Sequence, residues 1–153
     1  MFQGRTIGSI AIASAIIALS WPATLKAQSP AAGDASVAGR WQGTRSATGG
    51  SGSDAFKIHS IRFDLKQSGE DITGSYRCYA GKHANTDCNN PVGNVTSGTI
   101  KDGKVHIKVQ AMPNNLQCSF DGSVEGAEMK GDYTCYVGGG LATNGVFDLH
   151  RKE

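Results

Sequence analysis

The chain carries little charge excess of either sign: 15 lysines and arginines stand against 13 aspartates and glutamates. Nucleic-acid binding needs positive charge gathered on one face or along one helix, and the sequence has no such run. Helical periodicity is missing as well, since no stretch after residue 38 repeats apolar side chains at spacings of three and four. Catalytic signatures are equally scarce. Residues 48–54 (TGGSGSD) are glycine-rich, but they lack Gly-Lys-Ser/Thr and are followed by a strand pattern. No helix start is there to turn its amides toward a phosphate, so the segment reads as a flexible mouth loop. There is no nucleophile elbow. The 4 histidines, at 59, 83, 106 and 150, are too scattered for ligand spacing, and no metal is expected. With no acid–base or nucleophilic set assembled, the chain reads as a non-enzyme without a cofactor.

One long apolar run is present, residues 7–19, behind Arg5 and broken by Trp21-Pro22. Residues 1–27 are expected to be a secretory signal peptide cut near Ala27, which makes the protein secreted or periplasmic. The run is shorter than the roughly 20 residues of a comfortable membrane span, so the mature protein is expected to have none. Arg5 and Lys26 leave with the leader, and thirteen basic residues then balance thirteen acidic ones. Residues 28–38 (QSPAAGDASVA) are small and polar and read as a flexible arm. Residues 39–153 suffice for one small domain with its own core.

The strongest positive signal is an internal repeat. Residues 61–79 (IRFDLKQSGEDITGSYRCY) align without a gap on 118–136 (CSFDGSVEGAEMKGDYTCY). The pairs Phe63/Phe120, Asp64/Asp121, Gly69/Gly126, Gly74/Gly131, Tyr76/Tyr133, Cys78/Cys135 and Tyr79/Tyr136 are shared. Each copy reads as two strands joined by a Gly-X pair, Gly69-Glu70 or Gly126-Ala127, the mark of a type II′ hairpin. Counting outward from the second turn sets Cys118 opposite Cys135 at a non-hydrogen-bonded site, where the strands approach most closely. Four cysteines in an exported chain favour disulfides. Cys118–Cys135 is therefore one expected bridge, contributing about 3 kcal/mol. Cys78 faces Ile61 in its own hairpin, which leaves Cys88, across the loop 80–87, as its expected partner.

Eight strands are expected, at 39–46, 57–67, 71–80, 92–101, 104–111, 116–125, 128–138 and 144–151. Period-two alternation gives each one buried face: Ile61, Phe63 and Leu65; Ile72 and Tyr76; Ile100; Val105, Ile107 and Val109; Phe120 and Val124; Met129 and Tyr133; Phe147 and Leu149. His106 and His150 fall on the solvated face. Tight links at Gly69-Glu70, Asp102-Gly103 and Gly126-Ala127 alternate with longer ones at 47–56, 81–91, 112–115 and 139–143. Successive connections of a meander lie at opposite ends, so the short turns gather at one end and the long loops at the other. The expected fold is an all-β, eight-stranded antiparallel up-and-down barrel, which leaves no open sheet edge. Such a barrel has room for its own side chains or one small ligand.

Gly39-Arg40-Trp41 on the first strand and Arg151 on the last resemble the calycin superfamily of lipocalins, fatty-acid-binding proteins and avidins. There, a Gly-x-Trp and a basic residue pack together at the closed end, which implies that Gly39, Trp41 and Arg151 seal the barrel. Residues 72–76 (ITGSY) resemble the third strand of avidins, whose tyrosine contacts biotin. The several tryptophans with which avidins box their ligand are missing, because Trp41 alone remains after the leader. Tyr76 and Tyr133 also read as repeat-derived core residues with their hydroxyls satisfied inside.

Arg45 and His59 have inward parity near the long-loop end. Together with Tyr76, Tyr133 and Thr96, they are the candidate ligand contacts; Thr96 also completes the glycosylation acceptor Asn94-Val95-Thr96. The expected function is an exported binding protein that holds an unidentified small molecule at the open end of its barrel. The alternative is a protein–protein module. Some exported metalloprotease inhibitors use a lipocalin-like barrel whose N-terminal arm enters the protease cleft, and residues 28–38 offer such an arm.

Overall fold

A computed structural model describes residues 36–50, 58–79, 92–112 and 115–153. The expected leader (1–27), the arm up to residue 35, His83 and Cys88 lie outside the described residues. Eight strands follow in order: β1 Gly39–Gly50, β2 Ile58–Ser68, β3 Asp71–Tyr79, β4 Val92–Lys101, β5 Lys104–Met112, β6 Leu116–Glu125, β7 Glu128–Val137 and β8 Gly140–Lys152. Each pairs antiparallel with the next, and β1 pairs with β8 to close the barrel. The expected fold class is the one observed.

The repeat becomes two hairpins on opposite sides of the cylinder, β2–β3 and β6–β7. Their registers follow the turn count: Ile61 faces Cys78, and Cys118 faces Cys135. Gly69 and Gly126 both have φ of 60°, as the first position of a type II′ turn requires. At Asp102-Gly103 both residues have positive φ, the type I′ pattern. Gly131 is fixed by crowding, since a Cβ there would sit 2.1 Å from the Asp121 carbonyl oxygen. Its repeat partner Gly74 meets the Asp64 carbonyl oxygen at 2.2 Å in the same way. Every residue assigned inward by alternation is buried.

We call the end with turns 69–70, 102–103 and 126–127 the floor, and the opposite end the rim. The floor is plugged. Trp41 is fully buried, its indole Nε1 donates to the Val37 carbonyl at 2.7 Å, and the Arg151 guanidinium lies 4.6 Å from its ring. Arg151 also donates to the carbonyls of Ala38, at 2.7 Å, and Ser36. The Val37 amide donates to the Gln67 side chain at 2.8 Å.

Three expectations are corrected. Residues 36–38, counted with the flexible arm, are pinned across the floor, because Val37 is an apolar side chain that Trp41 and its neighbours bury completely. The link 139–143 is not a long loop. β7 and β8 run on to a two-residue turn, Gly138-Gly139, whose φ values of 58° and 83° suit type I′. Glycine supplied the backbone geometry of a tight turn rather than slack. Finally, β1 continues to Gly50 through a bulge between Ala47 and Gly49, pairing with the extended start of β8. The tight-and-long alternation therefore fails at the β7–β8 link.

Candidate functional site

The interior divides into three levels. Around the floor lie Leu65, Ile72, Ile100, Val105, Val124, Met129 and Leu149, all buried. The middle is a belt of rings from Phe63, Tyr76, Phe120, Tyr133 and Phe147. Phe63 and Phe120 come from opposite walls, yet their centroids are 5.1 Å apart in an edge-to-face contact. Phe120 also lies 5.9 Å from Tyr133 and 5.5 Å from Phe147. Rings meeting across the axis fill the cylinder at this level, so a ligand inside must sit between belt and rim.

That upper level is mixed: buried Ala111, Leu116 and the Cys118–Cys135 bridge share it with a polar group. Arg45 and His59 face each other on β1 and β2, both inward, at 0% and 3% exposure. The Arg45 guanidinium carbon is 4.9 Å from the Tyr133 ring centroid, a cation–π contact, and Nη1 lies 3.5 Å from Cys135 Sγ. The Tyr133 hydroxyl is 3.2 Å from Thr143 Oγ1, which donates to the Gly49 carbonyl at 3.4 Å. Thr143 escaped sequence reasoning because it fell in a presumed loop. Continuation of β8 brings it inward, opposite Cys135. Tyr76 is buried one step below, 5.7 Å ring to ring from Phe120.

The structure thus brings Arg45, His59, Tyr76 and Tyr133 into one interior. It leaves Thr96 out. A bulge between Val95 and Ser97 breaks the alternation on β4, so Thr96 is exposed on the outer wall, its hydroxyl donating to the Lys108 carbonyl at 3.3 Å. The extra residue in the strand is what keeps Thr96 out of the interior. Asn94, of the glycosylation acceptor, is exposed. Cys118 and Cys135 are bonded, with Cα atoms 4.0 Å apart. Cys78 is buried and disulfide-bonded; its expected partner Cys88 lies outside the described residues.

Polarity inverts on the outside of the rim. Seven large apolar side chains are exposed among the described residues: Ile58, Val92, Met112, Tyr136, Val137, Leu141 and Val146. Six of these sit at the rim ends of β2, β4, β5, β7 and β8; Val146 alone is mid-strand. Val92 and Met112 are cross-strand partners, and Arg77 flanks Val92.

Charge divides along the same axis. Every described Asp and Glu lies in a floor turn, at the chain's end, or on the floor side of the belt residue in its own strand. On the floor side, Arg40 Nε hydrogen-bonds Asp64 at 2.9 Å and holds that carboxyl below the usual range, with Arg62 assisting at 3.0 Å. Lys130 does the same for Glu128 at 2.8 Å. His106 pairs with Asp121 on the outer wall. No cluster among the described residues could hold a metal ion. A hollow of about 1130 Å³ opens at the floor, walled by turn backbone, Arg151 and the ion-paired Lys101 and Glu70.

No helix among the described residues is long and apolar enough to cross a membrane. No protein-family model, curated protein or solved structure matches the chain.

Proposed function

We propose that the chain is an exported, non-catalytic binding module of calycin-like build whose working end is the rim. One observation carries the reading: among the described residues, six of the seven large exposed apolar side chains lie at that end. Apolar surface kept in water costs solubility and burial energy, and soluble proteins keep it in patches chiefly where something docks. The secretory leader expected in the sequence and the oxidised cysteines support export. The closed meander and the Arg151–Trp41 stack support the calycin-like build.

A small molecule at the mouth has its own observation in favour. Arg45, His59, Tyr133 and Thr143 form a polar group just below the rim, and a guanidinium there suits an anionic or hydrogen-bonding ligand. The filled belt confines such a ligand to the space above Phe120, which favours contact through the rim itself over deep enclosure.

Native mass spectrometry of the oxidised protein from its own producer separates the cases. A retained small molecule, lost in Arg45→Met, establishes the mouth ligand. A larger complex that is lost in an Ile58→Ser, Leu141→Ser double variant establishes docking on the rim. Complexes unaffected by either variant contradict the proposal.

A further inference from the structure

We infer that the rim docks on an anionic lipid bilayer surface; this rests on the rim being the working end. All eight strands have an end at this pole, and five of them offer at least one exposed apolar side chain: Ile58, Val92, Met112, Tyr136 and Val137, Leu141. These described side chains share one pole, where a soft, deformable surface can reach several of them. The group is mainly aliphatic and sits around the end of the cylinder, whereas a protein hot spot gathers aromatic and arginine anchors into one packed pocket. The tip of the β7–β8 hairpin has a character to match, because residues 133–147 contain no charged side chain at all. Val137, Leu141 and the Gly138-Gly139 turn can enter the headgroup layer without burying an ion.

Charge selects the lipid. Above the belt residues, the described charged groups on the outer wall are Arg77 and Lys108, beside an Arg62 that is paired with Asp64, and no carboxylate is among them. In sequence, the linking segments 51–57 and 80–91 carry Lys57 and Lys82 against Asp54 and Asp87, no net charge. An anionic leaflet attracts such a surface and a zwitterionic one does not. The same division argues against a second copy as the occupant. Two rims repel each other, and the described floor offers a rim no large exposed apolar side chain.

The test is co-sedimentation of the mature, oxidised protein with vesicles of equimolar phosphatidylglycerol and phosphatidylcholine, against vesicles of phosphatidylcholine alone. Binding to the anionic vesicles is expected to exceed that to neutral ones by about tenfold or more. It should fall at least about fivefold when salt rises from about 0.1 M to about 1 M, which shortens the screening length from about 10 Å to about 3 Å. The triple variant Ile58→Ser, Met112→Ser, Leu141→Ser should lose vesicle binding with its far-ultraviolet circular dichroism unchanged. Arg77→Glu, an exposed single change, keeps the test open if the triple variant fails to fold, and should weaken binding to anionic vesicles alone. Lys104→Glu, on the floor, should bind as the parent does. A parent protein that stays in the supernatant, or rim variants that sediment as well as it does, overturns the lipid inference. If a protein complex found by native mass spectrometry is still lost in the Ile58→Ser, Leu141→Ser variant, the rim stands as the working end and only its lipid partner falls.

Discussion

The two ends of the barrel place the same pair of groups in opposite settings. Each sets an arginine against an aromatic ring, Arg151 at 4.6 Å from Trp41 and Arg45 at 4.9 Å from Tyr133. At the floor the guanidinium is half-buried and donates to two backbone carbonyls, while the plug beneath it is apolar. At the rim the guanidinium is wholly buried beside His59 and a disulfide, while apolar side chains stand in water outside. The floor therefore follows the ordinary rule of apolar inside and charged outside, whereas the rim breaks it in part: a cation and an imidazole are buried beside Ala111 and Leu116, and apolar side chains stand outside. Burying a cation costs several kcal/mol before its contacts are counted, and leaving each large apolar side chain exposed forgoes about 1.5–3 kcal/mol. Sequences depart from such rules mainly where a site is needed, which is why the rim, not the floor, is read as the working end.

Stability measurements can break or sharpen this contrast. Trp41→Ala should have the largest effect, about 3–5 kcal/mol in urea unfolding, since it opens a cavity under the plug and strands the Val37 carbonyl. Trp41→Phe keeps a ring there and should cost less. Ile58→Ser at the rim should change stability by less than about 0.5 kcal/mol. Equal losses at the two ends would remove the contrast.

Replacing Cys118 and Cys135 together by alanine should cost about 3 kcal/mol, read as a lower melting temperature under non-reducing conditions. Amides of β6 and β7 nearest the rim should then exchange faster, with the floor turns unchanged. Arg151→Ala should cost about 1 kcal/mol, the worth of a partly exposed cation–π contact with its hydrogen bonds. A loss as large as that of Trp41→Ala would mean that the arginine, not the indole, holds the plug.

The smallest effect concerns acid. Asp64 is held low by Arg40, so its folded value lies below its unfolded one. The stability it contributes is complete above about pH 4 and is lost as pH falls through the depressed folded value. Because the pair is exposed, this amounts to a few tenths of a kcal/mol. Arg40→Ala should flatten the acid limb of a pH–stability curve by that amount, and an unchanged limb would remove Arg40 as the cause.

Most of the architecture was legible because the repeat carries its own ruler. Once Gly126-Ala127 is a two-residue turn, the pairing of Cys118 with Cys135 and the inward direction of Phe120 and Tyr133 follow by counting. Counting fails where an extra residue enters a strand. The bulge at Val95/Ser97 put Thr96 on the outer wall, and the bulge at Ala142 lay in a stretch read as loop, which hid Thr143. The run Gly138-Gly139-Gly140 looked like slack because glycine serves loops and positive-φ turns alike. Val37 was missed because one apolar residue in a polar arm has no period to announce it. The rim side chains were hardest to read, since an apolar residue where a strand meets a loop gives no parity signal about whether it is covered.

Hydrogen–deuterium exchange of the mature, oxidised protein, with and without equimolar phosphatidylglycerol–phosphatidylcholine vesicles, tests the division of labour between the ends most directly. New protection should fall on 58–60, 92–94, 110–112 and 136–142, while the turns 69–70, 102–103 and 126–127 exchange as before. Protection at those floor turns with none at the rim would contradict the account.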